Sequence, residues 1–143
     1  MGKIVLICRD ALENSIIGNV GLAMEAKKAG EEPAVIFTQE ALAALAGSSC
    51  DWSPLFRPRE MRMRITRAAN GRGIPAASPK DDRWSDMKRL LQGAKEAGVG
   101  LYACPMWSDL LGLKGKLPAE LTEIDLGSAF QALKEADVVI GSL

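Results

Sequence analysis

Short apolar runs rich in β-branched residues recur along this chain, and the stretches between them are long enough to hold helices. The runs are Lys3 to Cys8 (KIVLIC), Pro33 to Phe37 (PAVIF), Val99 to Ala103 (VGLYA) and the closing DVVIGSL, with a weaker one, LTEIDL, from Leu121 to Leu126. Runs this short and this apolar read as strands buried on both faces, which is the situation in a parallel sheet covered by helices. No hairpin signal such as Asn-Gly joins one run to the next, so each return must be made by a crossover. The pattern therefore predicts an α/β three-layer α/β/α sandwich with a five-stranded, mostly parallel sheet, the flavodoxin-like arrangement being the nearest general class. Strand order is not encoded in such a pattern.

The helices follow from caps and stripes. Ser15 can cap a helix running to Lys28, with Ile16, Val20, Ala23 and Met24 on its inner stripe and Gly30 as its stop. Thr38 is a natural cap for Gln39 to Ala46, which Gly47-Ser48-Ser49 ends. Asp81 or Asp82 is expected to cap a helix reaching Ala97, burying Trp84, Met87, Leu90, Leu91 and Ala94 and stopping at Gly98. Pro105 suits the first position of a short helix that Gly112 terminates. Gly127 and Ser128 open the last helix, to Glu135.

A chain of 143 residues is long enough for one domain with a real core and too short for two, so residues 1–143 read as one unit. Its formal charge is zero, no apolar run reaches the length of a bilayer span, and a cytoplasmic location is the expectation. From about residue 50 to 80 the pattern breaks into an irregular basic insertion. Arg57, Arg59, Arg62, Arg64, Arg67 and Arg72 face only Asp51 and Glu60, with Trp52 and Phe56 nearby. One reading is a solvated helix with Met61, Ile65 and Ala68 on its inner side; others are a lid, a subunit contact or a guide for anionic partners. Nucleic acid is disfavoured, because no nucleic-acid-binding fold accompanies the charge.

Chemistry is constrained by what is missing. Histidine is absent, which removes Ser-His-Asp and Cys-His catalysis and most transition-metal sites together. CRDALENS after the first strand contains no glycine-rich phosphate loop, so neither cofactor nor metal is expected. Three cysteines, Cys8, Cys50 and Cys104, are odd in number and widely spaced, which suggests no disulfide framework. Cys104 stands out. It follows a strand and precedes Pro105, at or beside a helix N-cap, where unpaired N–H groups such as those of Met106 and Trp107 favour a thiolate. Ser108, one turn on, could hydrogen-bond its sulfur. Cys8 ends the first strand on the same ligand-binding edge of the sheet, either as core packing or as a second thiol that resolves or receives sulfur. Cys50 receives no role.

Ala103, Cys104, Ser108 and Gly112, placed after a strand, resemble the Ala-Cys, Ser and Gly pattern of the DsrE/DsrF-like family of sulfur-relay proteins. IFTQEALAAL, with an aromatic residue and Thr before a short helix, resembles the same family, so the likeness covers the first and last thirds of the chain. It implies a sulfurtransferase-like carrier that holds sulfane sulfur as a persulfide on Cys104. Donor and acceptor proteins or low-molecular-weight thiols would be its partners, and a homo-oligomer, trimer or hexamer, its state. The residues alone leave open a non-enzymatic assembly or small-ligand-binding module of the same fold in which Cys104 is structural.

Overall fold

A computed structural model of the chain describes residues 2–47 and 50–141. Strands β1 (Lys3–Cys8), β2 (Glu32–Phe37), β3 (Gly100–Ala103), β4 (Thr122–Glu123) and β5 (Val138–Gly141) form a single sheet in the order β4-β3-β2-β1-β5, every pair parallel. Helices α1 (Glu13–Lys28), α2 (Gln39–Gly47), α3 (Arg59–Gly71), α4 (Met87–Glu96), α5 (Pro105–Leu110) and α6 (Leu126–Glu135) make the crossovers. No helix among the described residues is long and apolar enough to cross a membrane.

The register explains where the core sits. Leu6 lies beside Val35 and Val35 beside Leu101, while Cys8, Phe37 and Ala103 form the next row toward the carboxyl edge. Strand residues two apart share a face, so these six side chains make one continuous stripe, and all are almost fully buried. Ile16 and Val20 of α1 and Leu90 and Leu91 of α4 belong to the same cluster. The connection from β4 runs back across the sheet to β5, so a right-handed crossover puts α6 on the opposite face. That face is less closed: Ile7, Ala34 and Tyr102 are only partly buried.

Several expectations need correction. The closing run is an edge strand, with Val138 and Val139 about half exposed, because the sheet order leaves β5 a neighbour on one side only. Leu12, not Ser15, is the cap residue of α1; the Ser15 hydroxyl instead donates to Asp10 at 3.0 Å. The first helical N–H, that of Glu13, is taken by the carbonyl of Asp51 at 2.6 Å, a long-range cap with no local signature. Helix α4 starts late. Asp86 caps it, its carboxylate accepting the Arg89 N–H at 3.0 Å, and Trp84 is left outside and 61 % exposed. Asp81 serves a turn in which it accepts from Arg83. Of the stop proposed for the second helix, Gly47 is helical while Ser48 and Ser49 lie outside the described residues.

The basic insertion is mostly regular structure. After a 3-10 turn (Pro54–Phe56), α3 turns Thr66 and Ala69 inward rather than Ala68, and the segment beyond it buries Ile74, Ala76 and Ala77. Gly93 of α4 is what lets that segment in, since a Cβ there would fall 2.4 Å from the Pro75 ring. Trp52 is buried and Phe56 packs on the core, so the aromatic residues anchor the insertion.

Candidate functional site

Strand β3 ends at Ala103, and the next residue prolongs the ladder by one bond: the Cys104 N–H donates to the Phe37 carbonyl at 2.9 Å. Cys104 has extended backbone (φ −62°, ψ 121°) and is the N-cap of α5, with Pro105 in the first turn. Its carbonyl accepts the first helical bond, from the Ser108 N–H at 2.9 Å, so the amides of Met106 and Trp107 precede the first intrahelical donor. The thiol makes no capping bond and is partly exposed. Leu111 closes the helix and Gly112 follows with φ +64°, the left-handed C′ position its sequence suggested.

The supporting residues separate. Ser108 is one turn from Cys104 on the same helix and buried, and its hydroxyl makes no hydrogen bond to the sulfur. Met106 is exposed, while Trp107 packs against the core. Cys8 shares the carboxyl edge of the sheet, but β2 lies between its strand and that of Cys104, a separation of about 10 Å. It is fully buried, and burial, then Asp10, pushes its thiol up to about 12. Cys50 is pushed up to about 11 by burial and by the nearby Glu13. Both thiols are therefore held neutral near pH 7. Gln39, two residues beyond Phe37, has φ +51°, a rare left-handed conformation for a residue with a side chain, on the edge where Cys104 emerges.

The chain belongs to the DsrE/DsrF/DrsH-like family. The family model matches residues 3–140, including the basic insertion that the sequence resemblance left uncovered. The fold is shared with a solved structure, the ychN protein from E. coli, at 18 % identity over 99 % of each chain with a TM-score of 0.61. No curated protein matches the chain significantly.

Within this DsrE-like fold a second constellation forms that sequence reading missed. Glu13 opens α1 and accepts a hydrogen bond from the Ser85 hydroxyl at 2.8 Å, with the Trp52 indole near enough to help lower its carboxyl. Burial holds its carboxyl above the ordinary range, against the lowering effect of those donors and of Arg62. Glu13 and Ser85 are 72 positions apart, and residues 51–53 are hydrogen-bonded to the same end of α1. The only local signal was an acidic residue in a first helical turn, ordinarily read as a dipole complement. Of the six arginines of the insertion, Arg57 pairs with Asp51, Arg67 with Asp82 and Arg72 with Glu25. Among the described residues no group of His, Cys, Asp and Glu could hold a metal ion.

Proposed function

We propose that this DsrE-like protein carries sulfane sulfur on Cys104. The observation that carries the reading is the position of this cysteine within the family fold: the end of β3, at a helix N-cap, with a thiol that is partly exposed and not engaged in capping. The Cys104 thiolate would attack the outer sulfur of a donor persulfide, forming a new S–S bond as the donor's S–S bond breaks and its thiolate leaves. An acceptor thiolate then attacks the same sulfur, and the Cys104 thiolate is the leaving group. No oxidant is needed, since each step only exchanges one S–S bond for another. Met106 and Trp107 are the amides proposed to stabilise the charged sulfur, with Ser108 as a supporting hydroxyl.

The test is incubation with a persulfide donor followed by mass spectrometry. The wild-type chain is expected to gain one sulfur atom on the peptide containing Cys104, and Cys104→Ser to gain none, because an alcohol without a base is a poor nucleophile. Loading that survives in Cys104→Ser removes the proposal. Self-assembly, as trimer or hexamer, is part of the same reading and is supported by exposed Met106, Leu110, Phe130, Val138 and Val139 on α5, α6 and β5. Sedimentation that finds only monomer at micromolar concentration removes that part.

A further inference from the structure

A cavity of about 650 Å³ opens between the end of α2, the start of α4 and the segment from Lys116 to Glu120, and Cys104 is not part of its wall. Its size is that of a small-molecule pocket. Leu45, Leu91, Leu117 and Met87 give it apolar walls. Three carboxylates line it, Glu13, Asp86 and Glu120, and they differ in how they are used. Asp86 is committed to capping α4, and Glu13 is held by the Ser85 hydroxyl. Glu120 has no such engagement. It is only 8 % exposed, and its side chain makes no hydrogen bond or ion pair among the described residues.

The residue is more than nine-tenths buried, yet its carboxylate oxygens are not among the buried atoms cut off from solvent, so the wall of the cavity carries an acceptor that no protein group occupies and that a group of opposite charge could take. The two lysines in the wall, Lys88 and Lys116, are exposed and keep their charges in water at the mouth. A metal ion is a poor fit, since the described acidic and thiol groups do not converge on one point. Cys50 contributes a neutral thiol to the wall, and with it a soft, apolar surface.

We propose that this cavity binds a small organic cation with an apolar body, its ammonium group received by Glu120 with Glu13 behind it. An ammonium group there gives Glu120 the charged donor it lacks, while the apolar body covers the leucine walls. The same charge favours the ionised form of Glu13, which burial alone disfavours. The site is independent of sulfur transfer at Cys104 and stands whether or not that reaction occurs.

A charge series on one ring system tests it. Tryptamine, tryptophol and indole-3-acetate share an indole and carry a cationic, neutral and anionic head. In amide NMR titrations of the full chain near pH 7, tryptamine is expected to shift the signals of Glu13, Ser85, Leu117 and Glu120 saturably, and the other two to bind there more weakly. Glu120→Gln is expected to weaken tryptamine about tenfold, the loss of one charge-assisted hydrogen bond. The proposal is overturned if tryptamine leaves these signals unmoved, if the anion or alcohol binds there as tightly, or if a folded Glu120→Gln binds undiminished. Should that variant not fold, the series on the unaltered chain decides alone.

Discussion

Two thiols that end neighbouring parts of one sheet edge have opposite surroundings. Cys8 closes β1 inside a row of fully buried side chains, under α1 and beside Phe37. Cys104 follows β3 by one residue and stands at the mouth of a six-residue helix, partly in solvent. Both positions come from the same strand-then-loop pattern, so the difference lies in what each loop does next. After β1 the chain is pinned by Asp10, whose carboxylate accepts from the Leu12 N–H and the Ser15 hydroxyl, and α1 closes over the strand end. After β3 the proline starts a helix immediately, and the cysteine stays at its rim. Position on the ligand edge of a parallel sheet therefore does not make a thiol available; the covering element decides.

The largest expected effect is on alkylation. At pH 7 a thiol held at about 12 is ionised in about one molecule in 10⁵ and one held at about 11 in about one in 10⁴, so Cys8 and Cys50 are expected to resist iodoacetamide in the native chain. Peptide mapping should find label on Cys104 first by orders of magnitude, and on all three only after unfolding. Comparable native labelling of Cys8 would break the contrast.

A second comparison makes the same change at both ends. Cys8→Ser places a hydroxyl in an apolar row with no partner and is expected to lose about 1–3 kcal/mol. Cys104→Ser, at a partly exposed N-cap, is expected to stay within about 0.5 kcal/mol of wild type. Urea midpoints measure both, and equal losses would show that the two sites are packed alike.

The smallest effect is a pH dependence at the Glu13 cluster. The carboxyl there is raised above its ordinary value of 4.5, so the folded chain holds the proton more tightly than the unfolded one. Its stabilising effect is complete below pH 4.5 and is lost as pH rises through the folded value. Glu13→Gln should flatten that part of the stability profile, and parallel profiles for the two proteins would refute the assignment.

Much of this architecture was legible because its signals are local. The buried runs gave β1, β2 and β3 to within a residue, while the weaker run at Leu121–Leu126 shrank to the two exposed residues of β4; Pro105 and Gly112 bracketed α5, since fixed φ and left-handed φ are properties of single residues. What escaped depends on contacts between distant segments. Three aspartates precede α4, each chemically able to cap it, and only the fold selects Asp86. Ser15 had the right side chain for a cap, yet the carbonyl of Asp51 reaches the helix start instead. Cys104 could be found because its neighbours specify a strand end and a helix start. Glu13, Ser85 and Glu120 could not, because each is ordinary until the chain brings them to one cavity.

The sheet order has a consequence for how the chain is made. Strand β1 lies inside the sheet, yet one of its two partners is β5, with Ile4 beside Val138 and Lys3 bonded to Asp137 from 134 positions away. At about 5–20 residues per second, a ribosome needs on the order of ten seconds to supply that partner after β1 has emerged. Meanwhile β1, β2 and the helix between them can assemble, but one flank of β1 stays open, its N–H and C=O groups free to pair with a neighbouring nascent chain. Late synthesis is thus the interval in which this protein is most exposed to aggregation, and the edge strand β5 is what ends it.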